Sequence, residues 1–182
     1  MTARLGRIAW PPLLVVAACQ TQAAQPANCE SLLGTTIEGA TISVAALRAA
    51  TADLPQHCEI VGALNEHTGL DGQRYAIRFR LRMPTDWNSR FFYQGGGGTD
   101  GNLGDANAPQ IQQGYAVVST DSGHDNATNI SPVAGTFEFG YDPQARSDYG
   151  YNGPAQVTIA AKACVDQMVD GLGRASLGDE DA

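Results

Sequence analysis

The most constraining feature of this chain lies between Tyr75 and Met83. Tyr75, Ile77, Phe79, Leu81 and Met83 alternate with Ala76, Arg78, Arg80 and Arg82. A period of two sustained over this length is the signature of a strand with one buried face. A lone strand buries nothing, so it needs a partner. The stretch from His57 to His67 supplies one, and Thr68-Gly-Leu-Asp-Gly-Gln73 between them carries the Asp-Gly step of a hairpin loop. The three arginines invite a ligand-binding reading, but the plainer expectation is a solvated outer face.

Two further short strands follow, at Arg90–Gln94 and Gly114–Thr120. Upstream, residues 35–44 are β-prone with a break at Gly39, and the Ala-rich residues 45–52 suggest a short helix stopped by Pro55. Residues 126–147 read as irregular. Downstream, Val157, Ala160, Ala161, Cys164 and Met168 fall on one helical face, with Asn152 as the expected cap and Pro154 in the first turn. The order of hairpin, strand, loop, strand, loop and helix predicts an α/β sheet covered on both sides. His57 and His67 read as ordinary surface or strand histidines.

The N-terminus reads as an address. Arg4 and Arg7 precede the apolar run Ile8–Ala18, too short to span a membrane and broken by Pro11 and Pro12. Residues 1–24 are expected to be a signal peptide. Val16-Ala-Ala-Cys19 also resembles a lipobox, which would make Cys19 a lipidated N-terminus. Either cut places the protein outside the cytoplasm, secreted or periplasmic, or lipid-anchored at a bacterial membrane. There Cys29 and Cys58 are the expected disulfide. Cys164 reads as a buried apolar residue of the helix. With 11 Lys and Arg against 19 Asp and Glu, the net charge is −8, which argues against nucleic acid as a partner.

Glycine is the compositional outlier, at 21 residues, and Gly95-Gly-Gly-Gly98 runs straight out of a short apolar strand. Glycine costs backbone entropy, so such a run belongs where the backbone approaches something closely or takes φ > 0. Three readings stand. Gly96-Gly-Gly-Thr-Asp-Gly101 matches the phosphate-cradling Gly-x-Gly-x-x-Gly string, which any glycine-rich run produces. A flexible loop without a task is the second. The third is an oxyanion loop, whose bare amides stabilise a developing alkoxide.

Three stretches then resemble the tannase and feruloyl esterase family of secreted α/β-hydrolases. They are Phe91-Phe-Tyr-Gln-Gly-Gly-Gly-Gly-Thr-Asp-Gly101, Gly114-Tyr-Ala-Val-Val-Ser-Thr-Asp-Ser-Gly-His124 and Arg146-Ser-Asp-Tyr-Gly-Tyr151. The helix Val157–Ala163 fits as well, and Cys29 and Cys58 match cysteines that pair in relatives. The likeness runs from about Cys29 to Ala163. It implies the N-terminal part of an α/β-hydrolase over residues 29–169, with a leading β-hairpin and an incomplete sheet. It also implies a carboxylic-ester hydrolase of feruloyl- or galloyl-type aromatic esters, working through a serine acyl-enzyme on a small aromatic ester substrate. Gly96 and Gly97 become the expected oxyanion-hole donors.

The sequence departs from that family in one respect. The family's nucleophile follows this helix in a Gly-Cys-Ser-x-Gly-Gly turn, with the acid and histidine further on. None of Ser31, Ser43, Ser89, Ser119, Ser122, Ser131, Ser147 and Ser176 lies in such a turn. Residues 170–182 read as a disordered or aberrant tail. The expectation is a chain that stops before its nucleophile and is inactive alone. Ser122 and His124, with Asp121 and Asp125 beside them, are not expected to form a replacement triad; His124 and Asp121 are expected to brace the neighbouring loops by hydrogen bonds. Asp100, Asp105, Asp121 and Asp125 lack a calcium-loop pattern, so neither metal nor cofactor is expected. The alternative is a non-catalytic, secreted or lipid-anchored β-rich binding module. The sequence sets no oligomeric state.

Overall fold

The computed structural model describes residues 29–175, with side chains through residue 170. The signal peptide expected at residues 1–24, Cys19 and residues 176–182 lie outside these described residues. The alternating stretch forms β4 (Arg74–Pro84), and its apolar members Tyr75, Ile77, Phe79, Leu81 and Met83 are all buried. It pairs antiparallel with β3 (His57–Thr68) across the loop that the sequence predicts. Upstream, β1 (Thr36–Ile37) and β2 (Ala40–Arg48) make a second hairpin. Its two-residue turn is Glu38-Gly39, with φ of 49° and 79°. Positive φ at both positions suits the right-handed twist of a tight hairpin.

The short helix expected at residues 45–52 is not formed. Ala45, Ala46, Leu47 and Arg48 continue β2, paired with Ile60, Glu59, Cys58 and His57 of β3. Sheet pairing here overrides the helix preference of alanine. The Cys29–Cys58 disulfide, with Cα atoms 5.7 Å apart, ties the chain start to β3.

After β5 (Phe91–Tyr93) and β6 (Ala116–Thr120), the sheet order is β1-β2-β3-β4-β6-β5. β6 runs antiparallel to β4 and parallel to β5, so the sheet is mixed. All of β6 is buried, because both faces of the sheet are covered. On one face lies helix α2 (Gly153–Ala175). Its residues Val157, Ala160, Ala161, Cys164 and Met168 pack among Ile42, Ile60, Phe79, Leu81 and Val118, as the periodicity predicts. On the other face Val117 packs with Ala106, Ala108 and Ile111.

That second cover corrects the reading of the arginines. Arg80, Arg82 and β6 residues Ser119 and Val117 are register partners and share a face. The chain after the glycines crosses this face, and Ser119 Oγ donates to Leu103 O at 2.8 Å. Arg80 donates to Gly104 O and Asp105, while Arg82 pairs with Glu59. The three arginines are half-buried ion-pair partners, not a solvated face.

Helical structure also begins earlier than Asn152. A 3-10 turn (Glu138–Tyr141) leads into α1 (Pro143–Ser147), capped by Asp142, whose side chain accepts from Ala145 N. A π turn (Asp148–Asn152) then joins α1 to α2. Asn152 therefore lies within a helical run and is no cap; its amide donates to Asp148 Oδ1 at 2.7 Å. At the other end α2 continues to Ala175, so residues 170–175 are helical and not part of a tail. No described helix is long and apolar enough to cross a membrane.

Candidate active site

The glycine run leaves the end of β5 beside the end of β6. Gln94 still follows the sheet, its N–H donating to Val118 O at 2.8 Å, and its side-chain oxygen accepts from Ala108 N. From Gly95 to Gly98 no backbone N–H finds an acceptor among the described residues. All four glycines are exposed, so these amides face solvent and are open to an incoming acceptor. They border a cleft of about 160 Å³ lined by Gln94, Gly95, Gly96, Gly97, Asp100 and Thr120, among others.

The loop is held at its far side. Asp100 N donates to Gly97 O, closing a turn, and Gly101 N donates to Asp121 O. Gly101 has φ of +71°, and the Asn126 side chain occupies the place a Cβ would take. Tyr149 Oη donates to Gly98 O at 3.2 Å. Gly96 is explained by a neighbour: Asp100 Oδ1 stands where its Cβ would be. Gly97, by contrast, has nothing within 4 Å of that position.

The segment after β6 forms the other wall. Asp121 is fully buried and accepts from Arg78 N, Arg78 Nε and Gly123 N. Burial pushes its carboxyl up to about 6, more than these donors pull it down. Ser122 takes φ of +59° and donates to Asp100 Oδ2 at 2.7 Å. Its hydroxyl is thus committed to a carboxylate, not to His124.

His124 corrects an expectation. Asp121 braces the loops by hydrogen bonds, but His124 does so by stacking. Its ring lies 3.9 Å from that of Phe139, with Tyr149 edge-on at 5.8 Å. Neither ring nitrogen makes a hydrogen bond of ordinary geometry. Burial lowers its pKa, which favours the neutral imidazole. Of the four acidic residues considered for metal binding, Asp121 and Asp125 pair with Arg78 and Asp105 with Arg80, while Asp100 accepts from Ser122.

His57 is a buried strand histidine, whereas His67 is more than an ordinary one. Its Nε2 lies 3.0 Å from Asp142 Oδ1 and its Nδ1 2.9 Å from Asn65 O. The roles of Asp100, Asn126, Phe139 and Tyr149 in shaping the site were not read from the sequence. Tyr149 at least falls in one of the family-like stretches.

The sheet is mixed and covered on both faces, with a glycine loop at a strand end. The fold matches a crystal structure of an esterase from Aspergillus oryzae, with a TM-score of 0.53 at 17% identity, covering 71% of this chain and 27% of that one. The sequence model described as tannase and feruloyl esterase matches residues 58–173. The chain belongs to the tannase and feruloyl esterase family. The match begins at Cys58, not at the expected Cys29, and extends ten residues past Ala163, where the likeness was expected to end. The chain is 52% identical over 126 residues to a mono(2-hydroxyethyl) terephthalate hydrolase of Piscinibacter sakaiensis, covering 64% of this chain and 21% of that protein. It is 25% identical over 125 residues to an uncharacterized esterase of Agrobacterium fabrum, covering 63% and 21%. The chain therefore spans about a fifth of the length of these relatives.

Proposed function

We propose that this chain carries the oxyanion side of a carboxylic-ester hydrolase acting on esters of aromatic acids. The observation that carries the reading is the set of unpaired amides from Gly95 to Gly98, open to a cleft at a strand end. Donors held in place before reaction lose no reorganisation energy when charge develops on a carbonyl oxygen. Gly96 and Gly97 are the donors we assign. Gly97 suits the role best, because its glycine character has no internal explanation. Family membership and the likeness to a terephthalate monoester hydrolase support an aromatic acyl group and a serine acyl-enzyme.

Ser122, the serine nearest His124 in sequence, donates to Asp100 and not to a histidine. We infer that the nucleophile, acid and histidine come from sequence outside this chain, and that the chain alone does not turn over. Export to an oxidising compartment belongs to the same reading and suits the Cys29–Cys58 disulfide. The mass of the mature N-terminus decides between loss of residues 1–24 and lipidation at Cys19.

The activity is tested by replacing the matching stretch of the Piscinibacter hydrolase with residues 58–173 of this chain. Retained hydrolysis of mono(2-hydroxyethyl) terephthalate is expected. Gly97→Pro, which removes one N–H, should then lower kcat by about 10²–10³. An unchanged kcat would remove Gly97 from the oxyanion hole. The isolated chain should not hydrolyse methyl ferulate or methyl gallate above blank, and turnover there would overturn the missing-nucleophile reading.

A further inference from the structure

We propose that Asp100 is the positioning residue of the glycine loop, holding Gly96 and Gly97 so that their amides stay open to the cleft. The functional meaning of that role rests on the oxyanion reading above; the positioning itself rests on geometry. Asp100 is engaged through its N–H, its carbonyl and one carboxylate oxygen. Its N–H donates to Gly97 O at 3.0 Å, and its carbonyl accepts from Asn126 Nδ2 at 2.5 Å. Its Oδ2 accepts from Ser122 Oγ at 2.7 Å. Its Oδ1 occupies the place of a Gly96 Cβ. One side chain thus bolts the loop after β5 to the loop after β6, and residue 96 must be glycine to admit it.

The backbone points the same way. Asp100 and Ser122 both sit at positive φ, +57° and +59°, although neither is glycine. Left-handed conformations cost a non-glycine residue about 1–2 kcal/mol and persist where the surroundings hold them. Here the Ser122–Asp100 hydrogen bond joins the two strained residues directly. Asparagine is at home in this conformation and keeps an acceptor oxygen for Ser122. A carboxylate instead places negative charge beside donors meant for an oxyanion. That gives the residue two separable effects. Its hydrogen bonds hold the loop, and its charge opposes an anion bound there.

The 182-residue chain, labelled with ¹⁵N, separates them. In the unaltered protein the amide order parameters of Gly96 and Gly97 should lie near the rigid value of about 0.85, and in D100A they should fall below about 0.6. D100N should stay rigid. Phenylphosphonate, a tetrahedral aryl oxyanion, serves as the probe and should shift the Gly96 and Gly97 amides. D100N should bind it about fourfold more tightly, from loss of one nearby charge, and D100A more weakly.

A D100A loop as rigid as the unaltered one overturns the proposal, and so does equal loosening in D100N and D100A. If D100A fails to fold, S122A removes only the hydroxyl donor and must still loosen Gly96; unchanged order parameters there also overturn it. Order parameters that behave as expected, with no phosphonate shift at any glycine, would sustain the positioning role and remove the oxyanion reading instead.

Discussion

Arg78 and Asp121 are joined three times: the Arg78 backbone N–H donates to Asp121 Oδ1 at 2.9 Å, its Nε donates to Oδ2 at 2.5 Å, and the Asp121 N–H donates to Arg78 O at 3.1 Å. Arg78 Nη2 also reaches Asp125 Oδ2 at 2.7 Å, so one β4 side chain fastens the whole loop after β6. Asp121 has no exposure, and its carboxyl sits at about 6 because burial outweighs its donors. A folded pKa above the unfolded value favours the protonated form. Its contribution to stability is complete below about 3.8 and is lost as pH rises through about 6.

Arg78→Met should therefore be costly mainly when Asp121 is ionised. Removing the partner of a buried charge costs about 3–5 kcal/mol. Denaturant unfolding at pH 8 should show a loss of that order, and at pH 4.5, with the carboxyl protonated, a clearly smaller one. Equal losses at both pH values would mean that Arg78 acts through packing and its Asp125 pair, which is ionised at both, and not through the Asp121 charge.

The His67–Asp142 pair should give a pH dependence of its own. Burial pulls the His67 pKa down, but the Asn65 carbonyl and Asp142 outweigh it and raise the value. Its stabilisation is present below about 6.5 and fades as pH rises through the raised folded pKa. Burial opposes ionisation of Asp142, but the Ala145 N–H, His67 and the Leu70 N–H hold its carboxyl below the usual value. That contribution is present above about 3.8 and fades as pH falls through the depressed folded pKa. The stability difference between the unaltered protein and His67→Gln should be greatest near pH 5, about 1–3 kcal/mol for charged hydrogen bonds. By pH 8.5 it should shrink. A difference flat across pH would show that the pair carries no net charge interaction.

Much of this architecture is legible in the sequence because it is written in short-range patterns. The alternation at Tyr75–Met83 and the helical spacing from Val157 to Met168 report burial directly, and the structure buries those faces. Ala45–Arg48 misled because alanine says little about β pairing, which depends on a neighbour many residues away. The arginines misled for a related reason. Alternation reveals which face avoids the apolar core, but not that residues 103–105 return to cover the other face. At the site, the glycines announce themselves by composition. Asp100 does not, since its meaning comes from meeting Ser122 and Gly96 in space.

The two assigned glycines should respond differently to a methyl group. At Gly96 the new Cβ would meet the Asp100 carboxylate and displace it, while at Gly97 it would meet open space. Gly96→Ala should cost about 1–3 kcal/mol, as overpacking does. Gly97→Ala should change stability by no more than about 0.5 kcal/mol. Thermal or denaturant unfolding of the two variants checks this. A Gly97→Ala loss as large as that of Gly96→Ala would show that Gly97 is also held by internal packing, which would weaken its assignment to the cleft.

The cysteines should separate cleanly by reactivity. Cys164 lies buried on α2 among Ile42, Phe79 and Val118, and burial pushes its thiol up to about 12. At pH 8 essentially no thiolate is present, and thiolate is the reacting form. In a form lacking residues 1–24, a disulfide-exchange reagent should therefore label no thiol in native buffer. It should label one after unfolding without reductant, because Cys29 and Cys58 remain joined. Replacing both Cys29 and Cys58 by alanine frees a loop with a sequence separation of 29, and the loop-entropy relation puts the loss at about 3–4 kcal/mol. Rapid labelling of the native protein would place Cys164 at the surface or in an opening segment of α2. A double variant as stable as the original would mean that packing of buried Leu32 into the core, not the covalent link, holds the chain start against the sheet.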